Sequence, residues 1–265
     1  MENIRQAVER ARAARGLDGQ GGDAWKQRAA STDVDEWTHE LNVSHLESHR
    51  VVSHDKSDPR STTYDMLRTQ VLRSMDLNGR NVLAITSPTA NCGKTLTAIN
   101  LALSIARQPE RSVLLIDMDI HKGQVAKYLG VKFNDGLLSV LEGRVALFDA
   151  IIRARVGKNG LMVLPTETSS TGASDWMTSD AMKVLFQQVR RDFPSHIVIV
   201  DLPPMLYGDN VIAILPQIDS VLLVAAVGTS TVAEIQECNK YLQSSEVVRL
   251  VLNKVREPSA NYYYY

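Results

Sequence analysis

The stretch that decides the fold runs from residue 82 to residue 105 and reads VLAITSPTANCGKTLTAINLALSI. It begins with an apolar run of strand length and ends with apolar residues at helical spacing. A strand, a short loop and a helix in this order are the context in which a Gly-Lys-Thr triplet binds phosphate. Gly93 lets the backbone approach a phosphate, Lys94 reaches the β and γ phosphates, and the Thr95 hydroxyl binds Mg²⁺. We therefore expect these residues and Leu96, at the start of the helix, to bind ATP.

Two residues of the loop bear on this interpretation. Pro88 stands where the usual pattern G-x-x-x-x-G-K-[ST] has its first glycine, and proline fixes φ and removes one N–H donor. Cys92 lies next to the start of the helix and close to a lysine. Oxidative control is one interpretation of this cysteine, and a tolerated small side chain is the other.

Aspartates follow two further apolar runs. The run Val113–Ile116 leads into Asp117 and Asp119, and the run Ile197–Val200 leads into Asp201. The carboxyl ends of parallel strands open onto the same edge of a sheet, so these carboxylates are expected beside the phosphate-binding loop. There they can hold Mg²⁺ or orient and deprotonate an attacking hydroxyl. The alternative is that each aspartate caps the helix that follows it.

Six apolar runs of strand length predict the fold class, which is α/β. Because these runs are continuous rather than alternating, they indicate strands buried on both faces, hence a mainly parallel sheet flanked by helices, as in P-loop NTPases. The runs are Val82–Ile85, Val113–Ile116, Leu161–Leu164, Ile197–Val200, Val221–Val227 and Val247–Leu252. A helical stripe from Tyr64 to Met75 precedes the first of them. We predict a P-loop domain over residues 61–256.

Residues 1–60 have a different character. Apolar residues from Ile4 to Ala14 recur at helical spacing, and a polar stretch with glycines follows. This pattern predicts a short N-terminal helix and then a polar linker or loosely packed arm. His45 and His49 have the i,i+4 spacing of a metal-binding pair, but a solvated linker explains them as well.

Composition limits the classes of function. The chain has 265 residues, 44% of them hydrophobic, and a formal net charge of −1, which gives no general attraction to nucleic acid. Two cysteines do not make a disulfide framework and fit a reducing compartment. The longest strongly apolar run, Val221–Val227, is too short to cross a bilayer, and no secretion signal is evident. These features predict a cytoplasmic protein.

Several motifs between Tyr64 and Tyr265 together resemble those of one family. They are Leu67-Arg68-Thr69, the Asp-x-Asp of Asp117 and Asp119, Asp201-Leu202-Pro203-Pro204, Asp209, Leu252-Asn253-Lys254 and a final run of four tyrosines. The chain thereby resembles the bacterial tyrosine kinases of capsule and exopolysaccharide systems, which phosphorylate themselves. The resemblance implies an ATP- and Mg²⁺-dependent protein-tyrosine autokinase that regulates exopolysaccharide synthesis or export.

The resemblance also implies residue roles. Asp117 would act as base towards the tyrosine hydroxyl, Asp119 and Asp201 would support Mg²⁺, and Asn253 would contact the adenine. The phosphate acceptors would be the last tyrosines, which are Tyr262, Tyr263, Tyr264 and Tyr265. The implied partners are a separate membrane activator protein of the chain-length type, a cognate tyrosine phosphatase and further copies of the chain. The protein would then lie at the inner face of the plasma membrane through its partner.

Two other functions fit parts of the pattern. ATPases that partition plasmids or position septa share this fold, but they carry an extra lysine early in the loop, at the position of Thr89. A degenerate nucleotide-binding module, weakened by Pro88, would use its tyrosine-rich tail (residues 257–265) for interaction only. The tail is then either a phosphate acceptor or an aromatic segment that mediates assembly.

Overall fold

A computed structural model describes residues 39–168, 173–243 and 248–255. Within them, eight strands form one sheet. The strands are β1 (His39–Glu40), β2 (Val82–Thr86), β3 (Ser112–Asp117), β4 (Ile152–Val156), β5 (Asn159–Leu164), β6 (His196–Asp201), β7 (Ser220–Ala226) and β8 (Val248–Asn253).

The spatial order of the strands is β1-β4-β5-β3-β6-β2-β7-β8. Every neighbouring pair is parallel except β4 and β5, which are antiparallel. All residues of β2, β6 and β7 are buried, as expected for central strands covered on both faces. The predicted α/β fold with a mainly parallel sheet is confirmed.

Helices cover both faces of the sheet. The described helices are α1 (Val43–Ser48), α2 (Ser61–Asp76), α3 (Lys94–Ala106), α4 (Val125–Leu129), α5 (Leu137–Leu141), α6 (Leu147–Ala150), α7 (Ala173–Met177), α8 (Asp180–Asp192), α9 (Asn210–Ile214) and α10 (Val232–Leu242). The first four pack against one face and the other six against the opposite face, which gives two apolar cores. Among the described helices, none combines the length and apolar character needed to cross a membrane.

The sequence pattern misses one strand that pairs antiparallel with its neighbour. In β4 the residues Ile152-Arg153-Ala154-Arg155-Val156 alternate between buried and half-buried positions. This strand pairs with β5 after a turn in which Gly157 has φ of 58°. Alternation is the signal of a half-exposed strand, and a search for continuous apolar runs passes over it.

Residues 39–60 differ most from the expectation of a polar linker. Strand β1 pairs with β4, and Leu46 and Val51 are fully buried in the same core as α2 and α3. The Asn100 side chain in α3 accepts hydrogen bonds from the backbone N–H groups of Val52 (2.8 Å) and Ser53 (2.9 Å). The folded domain therefore includes residues 39–60. The predicted N-terminal helix lies outside the described residues.

His45 and His49 hold α1 in place. Their rings stack with centroids 4.2 Å apart, and His45 Nε2 donates to the Lys127 carbonyl oxygen of α4 at 2.9 Å. His49 Nδ1 donates to the carbonyl oxygen of His45 at 2.9 Å. No group of three or more metal-ligating side chains exists among the described residues. The pair therefore packs a helix against the domain.

Candidate nucleotide-binding site

The phosphate loop, residues 87–93, connects the carboxyl end of β2 to α3. Gly93 is the residue before the helix and has φ of 95°, a conformation that residues with a Cβ rarely adopt. A Cβ at this position would collide with the side-chain amide of Asn253. Both constraints explain why glycine directly precedes Lys94.

Pro88 and its neighbour tie the loop to the chain that follows β6. The carbonyl oxygen of Ser87 accepts a hydrogen bond from Met205 N at 2.8 Å, and that of Pro88 accepts from Leu206 N at 3.1 Å. Pro88 lacks an N–H but its carbonyl oxygen is used. The loop is thereby joined to the chain that follows β6, the strand that ends at Asp201.

The Cys92 thiol is fully buried, and its Sγ lies 3.3 Å from Ser230 Oγ. Burial keeps oxidants away from a thiol. The structure therefore favours the interpretation of Cys92 as a small packing residue over the redox interpretation.

Lys94 links two of the predicted carboxylates. Its Nζ lies 2.8 Å from Asp119 Oδ2 and 3.3 Å from Asp201 Oδ1. Burial alone would lower the pKa of Lys94, but Asp201 and Asp119 outweigh it and the pKa is raised. Lys94 is therefore a buried cation in the described structure, held where its charge can meet a phosphate.

Thr95 and Asp201 offer oxygen ligands at the base of the site. Thr95 Oγ1 donates to Asp201 Oδ2 at 2.6 Å, and Asp201 is fully buried. A hydroxyl with one or two carboxylates fits Mg²⁺, which completes its shell with phosphate oxygens and water. A Mg²⁺ ion bound in this way does not need three protein ligands, and no cluster of three metal-ligating side chains exists among the described residues.

Asp117 lies beneath the site and not in its wall. It is fully buried, and its two carboxylate oxygens accept hydrogen bonds from Asp119 N (3.1 Å) and Val125 N (2.9 Å). Burial and the nearby Asp201 carboxylate raise the pKa of Asp117 to about 8. Asp117 is therefore enclosed beneath the site, and both of its carboxylate oxygens are already engaged by backbone N–H groups.

A cleft of about 800 Å³ opens above these residues. Gly93, Lys94, Thr95, Leu96, Asp119 and Asn253 line it, whereas Asp117 and Asp201 do not. The structure thus brings most of the predicted nucleotide site together in one cavity. Its volume is within the range of ligand-binding pockets.

Asn253 lines the cleft and is bonded to the phosphate loop. Its Nδ2 donates to the carbonyl oxygen of Cys92 at 2.9 Å, and its Oδ1 accepts from Lys254 N at 2.8 Å. Lys254 Nζ donates to the carbonyl oxygen of Asn91 at 2.6 Å. Asn253 therefore fixes the end of β8 against the phosphate loop. Its contact with adenine stays a prediction.

A second part of the cleft lining was missed from the sequence. We call it the arm wall: residues 48–60, of which Ser48, His49, Arg50, Val52 and Arg60 line the cleft. Its one sequence signal is the apolar pair Val51-Val52 in a polar stretch. The four predicted acceptor tyrosines, Tyr262 to Tyr265, lie outside the described residues.

The comparison with known proteins agrees with this geometry. A family model described as an AAA domain matches residues 80–250. A putative tyrosine-protein kinase, EpsB of Ralstonia solanacearum, is 32% identical over 209 residues, which are 78% of this chain and 27% of that protein. The chain spans about a quarter of the length of the curated relatives it matches.

Solved kinase domains are similar in structure. The kinase domain of the Escherichia coli tyrosine kinase Etk is 27% identical with a TM-score of 0.65, over 79% of this chain and 82% of that domain. The BceF tyrosine kinase domain is 25% identical with a TM-score of 0.63, over 86% of each chain. These similarities confirm the sequence-based resemblance to bacterial tyrosine kinases.

Proposed function

The chain belongs to the AAA-domain family, and on that premise we propose that it is an ATP- and Mg²⁺-dependent protein-tyrosine autokinase. The observation that carries the proposal is the arrangement of Lys94, Thr95 and Asp119 in the lining of a cleft of ligand size, with Asp201 buried beneath them and bonded to Lys94 and Thr95. Phosphoryl transfer needs positioning and charge stabilisation rather than covalent chemistry from the protein. The names of its relatives support tyrosine as the acceptor. The motif resemblance described above supports exopolysaccharide synthesis or export as the setting.

Each site residue has a role in this proposal. Lys94 leaves its ion pairs with Asp119 and Asp201 to bind the β and γ phosphates, and this frees both carboxylates. Thr95 and Asp201 would hold Mg²⁺, which supplies charge neutralisation between the phosphates. Asp119 lines the cleft, so it is the better placed aspartate to orient the tyrosine hydroxyl and accept its proton. Asp117 would position Asp119 through the bond to its backbone N–H.

The proposed acceptors follow β8 along the chain. Because Asn253 is bonded to Cys92 of the phosphate loop, the chain leaves the sheet beside the cleft. We propose that phosphate passes to Tyr262, Tyr263, Tyr264 and Tyr265, mostly on a second copy of the chain. A membrane activator, a cognate phosphatase and a place at the inner face of the plasma membrane complete the proposal, supported by the resemblance to exopolysaccharide kinases.

Incubation with labelled ATP and Mg²⁺ tests the function. Label on the protein supports a kinase, and released phosphate alone indicates an ATPase switch. If neither label nor released phosphate appears, the domain is a nucleotide-binding module. A mixture of a Lys94→Ala chain with an active chain lacking the four tyrosines then tests transfer between copies. Phosphate on the Lys94→Ala chain is expected. If that chain stays unlabelled while the intact protein labels itself, transfer is within one chain.

A further inference from the structure

The arm wall presents a cation, Arg50, whose charge has no partner among the described residues. Positive charge exceeds negative charge in the lining of the cleft. Within the described residues, the lining holds one carboxylate, that of Asp119, and five lysines and arginines: Arg50, Arg60, Lys94, Lys122 and Lys254. Arg60 is paired with Asp58 at 2.6 Å, and Lys94 and Lys254 have the contacts given above. In the part of the chain that the structure describes, the Arg50 guanidinium makes no ion pair or hydrogen bond. A polyanion would be attracted to this excess of positive charge.

The backbone at Arg50 favours glycine and not arginine. Arg50 has φ of 61° and directly follows the last turn of α1. Arg50 N donates to the carbonyl oxygen of Glu47, and Val51 N donates to that of Leu46, both at 2.9 Å. This is the hydrogen-bond pattern of a helix end at which a left-handed glycine is usual. Because the side chain is exposed, packing does not explain an arginine at this position.

Asn100 holds Arg50 in this conformation. Its fully buried side chain donates to the carbonyl oxygen of Arg50 at 3.2 Å and to that of Leu96 at 3.0 Å. It also accepts from Val52 N and Ser53 N. Asn100 belongs to the same helix as Lys94 and Thr95. A single buried side chain therefore fixes the arm wall to the helix that begins at the phosphate loop.

We propose that Arg50 binds the phosphate chain of the nucleotide and that Asn100 is the residue that positions it. The inference deepens the proposed function and rests on its use of ATP. The guanidinium of arginine suits phosphate because it offers several N–H donors in one plane. Arg50 then meets the phosphates from the arm wall while Lys94 meets them from the phosphate loop.

The first test measures the affinity for Mg²⁺–ATP by calorimetry. Arg50→Gln is expected to weaken binding at least about tenfold, the loss of a charge-assisted hydrogen bond. Arg73→Gln is the matched control, because Arg73 is an exposed arginine that does not line the cleft; we expect a change within about twofold. An affinity of Arg50→Gln within about twofold of the wild type overturns the inference.

Arg50→Gly separates binding from folding. Glycine suits φ of 61°, so this variant is expected to unfold at the same or a higher temperature and still bind Mg²⁺–ATP at least about tenfold more weakly. Weaker binding together with a lower unfolding temperature would assign Arg50 a structural role only and would overturn the inference.

A double-mutant cycle tests Asn100. Asn100→Asp keeps the acceptor for Val52 N and Ser53 N but loses the donor to Arg50, so it should weaken binding several-fold in the wild type and not further in Arg50→Gln. Equal losses in both backgrounds contradict the positioning role. The inference on Arg50 concerns ATP binding, so it can fail or hold separately from the kinase proposal. If the wild-type protein binds ATP but labels no tyrosine, the kinase proposal is wrong, and the affinities of the Arg50 variants still decide the inference.

Discussion

The two walls of the cleft are held in different ways. The phosphate loop and the start of α3 take their shape from a short motif, and two strand ends supply the aspartates. The arm wall depends on Asn100, which is 48 residues away from Val52, and on the bond of His45 to Lys127, 82 residues apart. The first wall is therefore recognisable in the sequence. The second is a tertiary feature, although both face the same ligand space.

The largest effect is expected at the phosphate loop. Lys94→Met should lower phosphate transfer to tyrosine at least about 100-fold, because it removes the cation that meets the transferred phosphate. Labelling with radioactive ATP measures this. Lys127→Met, an exposed lysine outside the cleft lining, is the control and should label normally. Undiminished labelling of folded Lys94→Met would contradict the assignment of this wall.

Substitutions of Asp117, at the end of β3, and of Asp119, two residues later, test the same wall more finely. Asp119→Asn should lower transfer about 100-fold because it removes the carboxylate that lines the cleft. Asp117→Asn should cost less activity but more stability, since an amide has one oxygen for two N–H groups. Labelling rates and thermal unfolding of both variants measure these effects. The reverse order of activities would favour Asp117 as the base, the role that the family resemblance implies.

Helix α1, which leads into the arm wall, is tested through its core contact. Leu46→Ala should lower the free energy of unfolding by about 3 kcal/mol, because Leu46 is fully buried and leaves a cavity. Val43→Ala, in the same helix but 45% exposed, should change it by less than about 0.5 kcal/mol. Urea denaturation measures both. Equal small effects would mean that residues 39–60 behave as the linker that the sequence predicts.

A histidine at the amino end of β6, far from the carboxyl ends that form the site, gives a smaller and pH-dependent effect. Burial lowers the pKa of His196 from 6.5 to about 4, and neither ring nitrogen has a hydrogen-bond partner among the described residues. The unfolded chain therefore binds more protons between these values, and stability falls as the pH drops from 6.5 towards 4. This loss is at most about 3 kcal/mol.

His196→Phe should remove that part of the acid dependence, because phenylalanine can pack against Phe193 as the imidazole does and does not titrate. Denaturation at pH 7 and pH 5 compares the two proteins. An identical fall in stability in both would show that other groups cause it.

Sequence patterns predicted the elements whose signal is local. The six continuous apolar runs correspond to strands, because a strand that is buried on both faces has apolar residues at successive positions. The Gly93-Lys94-Thr95 triplet lies at the start of α3 as expected. Strand β4 was missed because its residues alternate between buried and half-buried positions and so do not form a continuous apolar run. Strand β1 was missed because it has two residues, which are too few to show a pattern.

The sequence predicted which residues belong to the site, but it did not predict which of their side chains line the cleft. Which aspartate faces the cleft depends on two backbone N–H groups, those of Asp119 and Val125, that turn Asp117 inwards. Leu46 and Val51 are buried, but they stand in a mainly polar stretch and are not part of a helical or alternating repeat. Periodicity therefore gives no sign that they are buried.

The sequence by itself determined the α/β class, the phosphate loop and the set of carboxylates near it, because each follows from the order and spacing of residues along one strand, loop or helix. Only the tertiary structure decided that Asp119 and not Asp117 lines the cleft, and that Arg50 of the arm wall lines the same cleft as Lys94. Those facts rest on hydrogen bonds such as those of Asn100, whose partners are far apart in the chain and leave no periodic trace in it.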